Sequence, residues 1–497
     1  MSDPLYEQLR DRLGELWDIA KIGALAGWDQ QTMMPPQGGP VRAMQMATMS
    51  KVVHEQLVSD ELGRLLEELA PYEESLDYDS DEASLIRVTR RDRDKELRVP
   101  AGLREEQARA GAEGFQVWVE ARRTSNFELF RPYLERNIEL RRRYAECFEA
   151  DEPYDALLDD FEPGMKTAEV RDVFARLKDG LVPLIAELSQ QEIDDSMLHG
   201  NFPLEPQKDL ERAILGRFGF RPGSWRIDPV EHPFATSFAT SDVRMTTRYL
   251  LTEFSSIFAS MHEGGHALYE HNISPALERT PLCRGASLAL HESQSRMFEN
   301  LVGRSIEFWR WGYPHAQQLF PEQFGGVTVE DFHRAINKVQ PSLIRIEADE
   351  ATYSLHIILR FELEQELLAG TVDVAALPQI WTERMDEYLG IDVPDDARGV
   401  LQDVHWSRGT LGYFPTYALG NVVSVQIWEK VREDVRDLES HLEQGELAPL
   451  TDWLRERLWR HGRKFTPQET LERVVGGGMD PEPYLRYLST KLGALTA

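Results

Sequence analysis

Two adjacent glycines between two histidines constrain this chain more than any other feature. Residues 262–266 read His-Glu-Gly-Gly-His. Around them Leu250, Leu251, Phe254, Ile257, Phe258, Met261, Ala267 and Leu268 recur at helical spacing, which predicts a helix over residues 249–270. On that helix His262 and His266 share a face, so both imidazoles can hold one metal ion. Glu263 projects beside the first of them, where it can hold and deprotonate a metal-activated water. Gly264 and Gly265 cost such a helix about 1–2 kcal/mol against Ala. A helix that keeps both needs space there, for a neighbouring backbone or for substrate.

A catalytic zinc takes three protein ligands and leaves a fourth position open. Residues 287–302, SLALHESQSRMFENLV, predict a second helix. The stretch between, residues 272–285 with Pro275 and Pro281, is long enough for that helix to return alongside the first. Glu292 is the expected third ligand, giving two imidazoles and one carboxylate. His291 competes with it but points about 100° away around the helix. Such a donor set takes one Zn2+ by default, and Co2+ or Mn2+ fit the same atoms.

The rest of the chain reads as mainly α. Helical periodicity covers residues 5–26, 41–69, 83–149, 167–192, 206–218 and 344–369, the last stopped by Gly370 as a C-cap. Residues 72–81 read as an acidic loop. Thr466-Pro467-Gln468-Glu469 is a helix start with an N-cap, Pro at the first position and a capping-box Glu. Residues 223–249 break the pattern. They alternate at Val243, Met245, Thr247 and Tyr249, which predicts a small antiparallel sheet just before the metal helix. An edge strand there can pair with a substrate backbone; a plain structural hairpin is the alternative. No linker, low-complexity tract or repeat interrupts the 497 residues, so one domain over 1–497 is expected, with the metal-binding helices within 250–303.

Composition narrows the classes of function. The formal charge of −30 argues against a nucleic-acid partner and against docking on anionic membranes. Solvated acidic helix faces are the plain reading of that charge; a preference for cationic peptides or a salty habitat is the alternative. No run approaches 18 apolar residues, and the charged N-terminal stretch has no apolar core of a signal peptide. Cys147 and Cys283 cannot build a disulfide framework and read as buried thiols in a cytoplasmic protein.

HEGGH followed by HESQS at residues 291–295 resembles the carboxypeptidase Taq family of metallocarboxypeptidases. Other segments match that family's motifs in order: WDQQTMMPPQG at 28–38, HPF at 232–234, DVRMT at 242–246, IRIEAD at 344–349, GVLQDVHW at 399–406 and GYFPTY at 412–417. The likeness spans essentially the whole chain, with no departure at a metal or base position. It implies a single elongated helical unit with a deep active-site groove and the metal at its floor. N-terminal helices, roughly residues 1–95, would roof the groove. The resemblance also implies a homodimer, and an enzyme that removes C-terminal residues from peptides with broad specificity.

Under that reading Glu263 is the general base. His405 and Tyr417, both in matching motifs, are the candidates to donate to the oxyanion. Recognition of a free C-terminal carboxylate suits Arg345 and Arg244; internal ion pairs with Asp349 and Asp242 are the plain alternative. Gln294 and Asp403 are candidates for orienting imidazoles. Two further readings stand beside this one. The same site could serve an oligopeptidase or dipeptidyl carboxypeptidase. Alternatively, the chain is an inactive helical binding protein, against which the intact Glu263 and Glu292 argue.

Overall fold

The computed structural model describes residues 3–495. Met1 and Ser2, where the charged N-terminal stretch begins, lie outside the described residues. Helices carry most of the chain, with one three-stranded sheet among them. The N-terminal helix, Pro4–Thr32, starts where Asp3 accepts the Leu5 N–H, with proline at the first position. It buries Tyr6, Leu9, Leu13 and Leu16 on one face. The chain then turns at Pro35 and Pro36, and the helix Gly39–Leu57 returns alongside.

Several long periodic runs are shorter in the structure than the sequence predicts, each for a local reason. The run over 83–149 is three helices, Asp81–Arg98, Ala101–Arg123 and Phe127–Ala145. Pro100 makes the first break by holding Val99 extended. The run over 41–69 breaks at Ser59, whose hydroxyl caps Asp60–Glu68. The start of the expected 72–81 loop belongs to the short helix Ala70–Glu74. The helix expected from residue 344 begins only at Tyr353. Before it the Asp349 carboxylate accepts the Ala351 and Thr352 N–H groups, which shapes a turn instead. Gly370 ends that helix in the left-handed region at φ 73°, and the Thr466–Glu469 capping box forms.

The strands are β1 (Trp225–Pro229), β2 (Ala235–Ala239) and β3 (Asp242–Thr247), in the order β1-β3-β2. β2 and β3 pair antiparallel as expected, but β1 runs parallel to β3, so the sheet is mixed. Period-two alternation tells which side chains face the core and carries no strand direction. Val243 and Met245 are fully buried between the sheet and the HEGGH helix, which packs on β2 and β3. The Thr247 hydroxyl meets the Ser260 hydroxyl at 2.9 Å, fastening the end of β3 to that helix.

No helix among the described residues is long and apolar enough to cross a membrane. Both cysteines are free.

Candidate metal centre

The HEGGH helix runs from Ser256 to Asn272. It starts later than the periodicity suggests because the backbone of Leu251, Thr252 and Phe254 bonds instead to residues 198–202. Its two glycines answer to two different neighbours. A Cβ on Gly265 would overlap the Gln294 carbonyl oxygen and lie 2.6 Å from Ser295 Cα, on the HESQS helix Leu288–Arg296. A Cβ on Gly264 would lie 3.1 Å from Leu215 and Phe218 side-chain atoms on the helix Leu204–Phe218. Close packing is therefore what the glycines serve. A third glycine, Gly420 on the helix Pro415–Asp434, stands where a Cβ would come within 2.6 Å of Glu292 Cγ. Glu292 is clamped between two helices and held toward the histidines.

His262, His266 and Glu292 converge, with one potential ligand atom from each all within 4.8 Å of one another. His266 Nε2 stands 3.3 Å from Glu292 Oε2, and His262 Nε2 stands 3.7 Å from it. Donors on a tetrahedral zinc are about 3.3 Å apart, so the two imidazole–carboxylate separations are close to what one such ion needs. His291 is not in the cluster.

The other ring nitrogens explain how the ligands are aimed. His262 Nδ1 meets Glu299 Oε2 at 2.8 Å. A carboxylate accepts only, so Nδ1 carries a proton, and Nε2 is the nitrogen that can offer a lone pair to a metal once its own proton is lost. His266 Nδ1 meets His291 Nδ1 at 2.6 Å, and His291 Nε2 meets Glu270 Oε1 at 2.9 Å. Glu270 fixes the proton of a neutral His291 on Nε2, which leaves His291 Nδ1 to accept from His266. His266 Nε2 is then free to ligate. His291, the sequence competitor for the third position, thus holds the His266 ring instead.

Arg296 binds both acids of the site. Its Nε donates to Glu292 Oε1 at 2.8 Å and its Nη1 to Glu299 Oε2 at 3.2 Å. Arg296 and Glu299 are absent from the sequence reading, although Glu292, Arg296 and Glu299 follow an i, i+4, i+7 pattern. The feature that sequence periodicity misses is the π-helical turn Met297–Val302, which carries Glu299. Such turns recur at functional sites.

Burial opposes ionisation of Glu292, but Arg296 and His262 hold its carboxyl far below the usual range. Glu299 behaves the same way for the same reason. Burial pulls His266 down to about 4. Burial also works against a charged His262, yet Glu292 and Glu299 outweigh it and push that imidazole to about 8. Glu263 is pushed up to about 7 by burial, reinforced by the charges of Glu292 and Glu299. Its Oε2 is buried without a hydrogen-bond partner among the described residues. A buried carboxylate oxygen left open beside three metal-type donors fits a site built around an ion and its water.

The remaining predicted residues fall in two places. His405, Tyr417 and Arg345 share one aromatic cluster. Tyr413 stacks on His405 at 5.3 Å between centroids and meets Tyr417 edge-on at 5.2 Å. The Arg345 guanidinium lies 5.0 Å from the Tyr417 ring centre. Tyr353, also missed in the sequence, links this cluster to the metal residues. Arg296 stacks over its ring at 4.3 Å, and its hydroxyl accepts from Arg345 at 2.9 Å. Burial pulls His405 down to about 4, so it stands neutral at pH 7.

Arg345 is buried and pairs with Asp403, not with Asp349. Asp403 also binds Arg360, and its Oδ1 is 3.9 Å from His405 Nδ1. Arg244 stands apart, on β3. It pairs with Asp242 as its sequence neighbourhood suggests, and stacks over Trp28 at 4.4 Å. Gln294 orients no imidazole: it is fully buried, accepting from Trp459 Nε1 and donating to Ser293.

Comparison with known proteins gives the same picture over the full length. The family model described as Carboxypeptidase Taq (M32) metallopeptidase matches residues 8–492. The chain is 40% identical to thermostable carboxypeptidase 1 of Thermus thermophilus, over 99% of this chain and 98% of the relative. It is 38% identical to carboxypeptidase 1 of Bacillus subtilis, over 98% and 97%. The crystal structure of an M32 carboxypeptidase from Deinococcus radiodurans superimposes with a TM-score of 0.96 at 37% identity, covering 99% of each chain.

Proposed function

The chain belongs to the carboxypeptidase Taq (M32) metallopeptidase family, and from that premise we propose a broad-specificity peptide hydrolysis in which Glu263 is the general base and zinc is the metal. As a family member it is a metallocarboxypeptidase, a peptide hydrolase acting at the C-terminus, and a metal ion is expected. The observation that carries the residue assignment is the convergence of His262, His266 and Glu292 beside the unpartnered Oε2 of Glu263. In this reading His262, His266 and Glu292 hold the ion. When bound, it acidifies a water and polarises the scissile carbonyl.

Glu263 takes the proton of the attacking water and returns it to the leaving amine. Burial raises its carboxyl above the usual range, which favours taking up that proton. Glu299, His291 and Glu270 keep both imidazoles turned and in the right tautomer. His405 and Tyr417 are assigned as donors to the oxygen that becomes negative. Neutral His405 can donate from one ring nitrogen, and its Nδ1 has no hydrogen bond among the described residues. Tyr417 stays protonated, because burial raises it well above the usual phenol range.

Arg345 and Arg244 are assigned to the substrate carboxylate. Both forks are already engaged by aspartates, so the grip falls to the N–H groups these pairs leave over. The N-terminal helices as a roof, and a homodimer, are carried forward as part of the same proposal.

The test compares one peptide as the free acid and as its C-terminal amide. The amide loses about 10²-fold or more in kcat/KM, because the arginines are left with no carboxylate to bind. Equal cleavage of both would overturn the exopeptidase assignment and bring forward an oligopeptidase using the same metal.

A further inference from the structure

Lys21 lies in the middle of the N-terminal helix, far in sequence from every ligand. Its ammonium is half-buried and does not point to solvent. Nζ donates to the Ser237 carbonyl on β2 at 2.7 Å and approaches the Ser237 hydroxyl at 3.4 Å. That hydroxyl donates to Glu270 Oε2 at 2.6 Å. Glu270 Oε1 meets His291 Nε2, and His291 Nδ1 meets the Nδ1 of His266. Five side chains from four elements thus form one unbroken chain of polar contacts, from the N-terminal helix to an imidazole of the metal cluster.

Each link has one workable direction. Glu270 accepts from both sides, so Ser237 must give it a proton and cannot offer one to Lys21. Lys21 has only donors, so it meets the carbonyl and the lone pair of that hydroxyl. Burial opposes ionisation of Glu270, but the His291 and Ser237 hydrogen bonds outweigh it, and the Lys21 ammonium adds to their effect. An ionised Glu270 is what keeps the His291 proton on Nε2. Without it His291 can flip or change tautomer, and His266 loses the acceptor that turns its Nε2 toward the other ligands.

The contacts around Lys21 are those of a docking surface. Trp28 of the same helix packs under the guanidinium groups of Arg226 and Arg244, on β1 and β3. Asp18, one turn before Lys21 on the same helix, pairs with Arg279 at 2.6 Å, but both are half-exposed and the pair is not a link in the chain of contacts.

We propose that Lys21 and Ser237 are positioning residues for the metal site: docking of the N-terminal helix on the sheet completes the hydrogen-bond chain that aims His266. This rests on the metal reading given above. The consequence is that metal affinity depends on whether that helix is seated. A helix that lifts off would leave Glu270 without its ammonium and His266 less well aimed.

The test is zinc affinity, measured on the full chain by competition with a chromophoric chelator. Lys21→Met and Ser237→Ala each raise the zinc Kd about tenfold, the low end for the loss of an outer partner. The double variant is no weaker than either single one, since both break the same chain. Lys21→Arg, which keeps a cationic donor, stays within about twofold of wild type. Asp18→Asn removes an exposed ion pair that adds little to docking, so the helix stays seated and Kd is unchanged. Limited proteolysis of residues 4–57 reports the seating of the helix in each variant. Unchanged zinc affinity in both Lys21→Met and Ser237→Ala would overturn the proposal. So would an equal loss in Asp18→Asn, which would reduce the effect to general loosening. A wild-type chain that takes up no zinc would instead overturn the metal reading, and this inference with it.

Discussion

Glu263→Gln keeps its metal and loses about 10²–10⁴-fold in kcat, the usual share of a positioned general base. The side chain is not in the ligand cluster, so an isosteric amide leaves His262, His266 and Glu292 in place. It does not repack the core either, because Oε2 has no partner to lose. What the amide cannot do is take a proton. Substrate binding does not depend on that proton, so KM changes little and the loss falls on kcat. No neighbouring acid can substitute. Glu299 is held by His262 and Arg296, and Glu270 by His291 and Ser237. Near wild-type turnover in Glu263→Gln would place the base elsewhere.

Gly265→Ala has a large structural effect for a single methyl group, and it falls on the candidate metal site. The new Cβ would strike backbone atoms of Gln294 and Ser295, and backbone cannot rotate out of the way. The HEGGH and HESQS helices must separate, at a cost of about 3 kcal/mol, the upper part of the range for overpacking. Glu292 moves with the HESQS helix, so zinc affinity falls along with stability. Gly264→Ala is the contrast, one residue away. Its Cβ meets side-chain atoms of Leu215 and Phe218 at 3.1 Å, which can yield by a few tenths of an ångström. The gain in helix propensity, about 1 kcal/mol, offsets most of that strain. Thermal melting with and without zinc separates the two variants. Equal behaviour of Gly264→Ala and Gly265→Ala would contradict the packing account.

The convergence of His262, His266 and Glu292 was legible because its information is local. His262 and His266 lie one helical turn apart, and Glu292 lies on the next helix, which returns alongside. The glycine pair signalled a need for space but not which neighbour fills it, since that depends on how distant helices cross. Arg296 and Glu299 followed a helical face that a reader can see. They went unread because ion pairing within a site leaves no spacing rule of its own. Lys21 was beyond reach altogether: a lysine on an amphipathic helix looks like any solvated charge until β2 is placed against it. Arg345 shows the same limit from the other side. Its sequence neighbour Asp349 looked like the partner, but a turn uses that carboxylate, and Asp403 arrives from elsewhere in the chain. Strand direction was misread for β1 because a period of two is identical in parallel and antiparallel pairs. The family motifs located His405, Tyr417 and Arg345, which the fold gathers around Tyr413 and Tyr353.

The most direct measurement follows one unmodified ten-residue peptide by mass spectrometry. Three samples run in parallel: the enzyme as purified, the enzyme with a chelator, and the stripped enzyme given back one equivalent of zinc. The account predicts a ladder losing single residues from the C-terminus, abolished by the chelator and restored by zinc. A ladder that persists in the stripped enzyme, or cuts that begin inside the peptide, would contradict it.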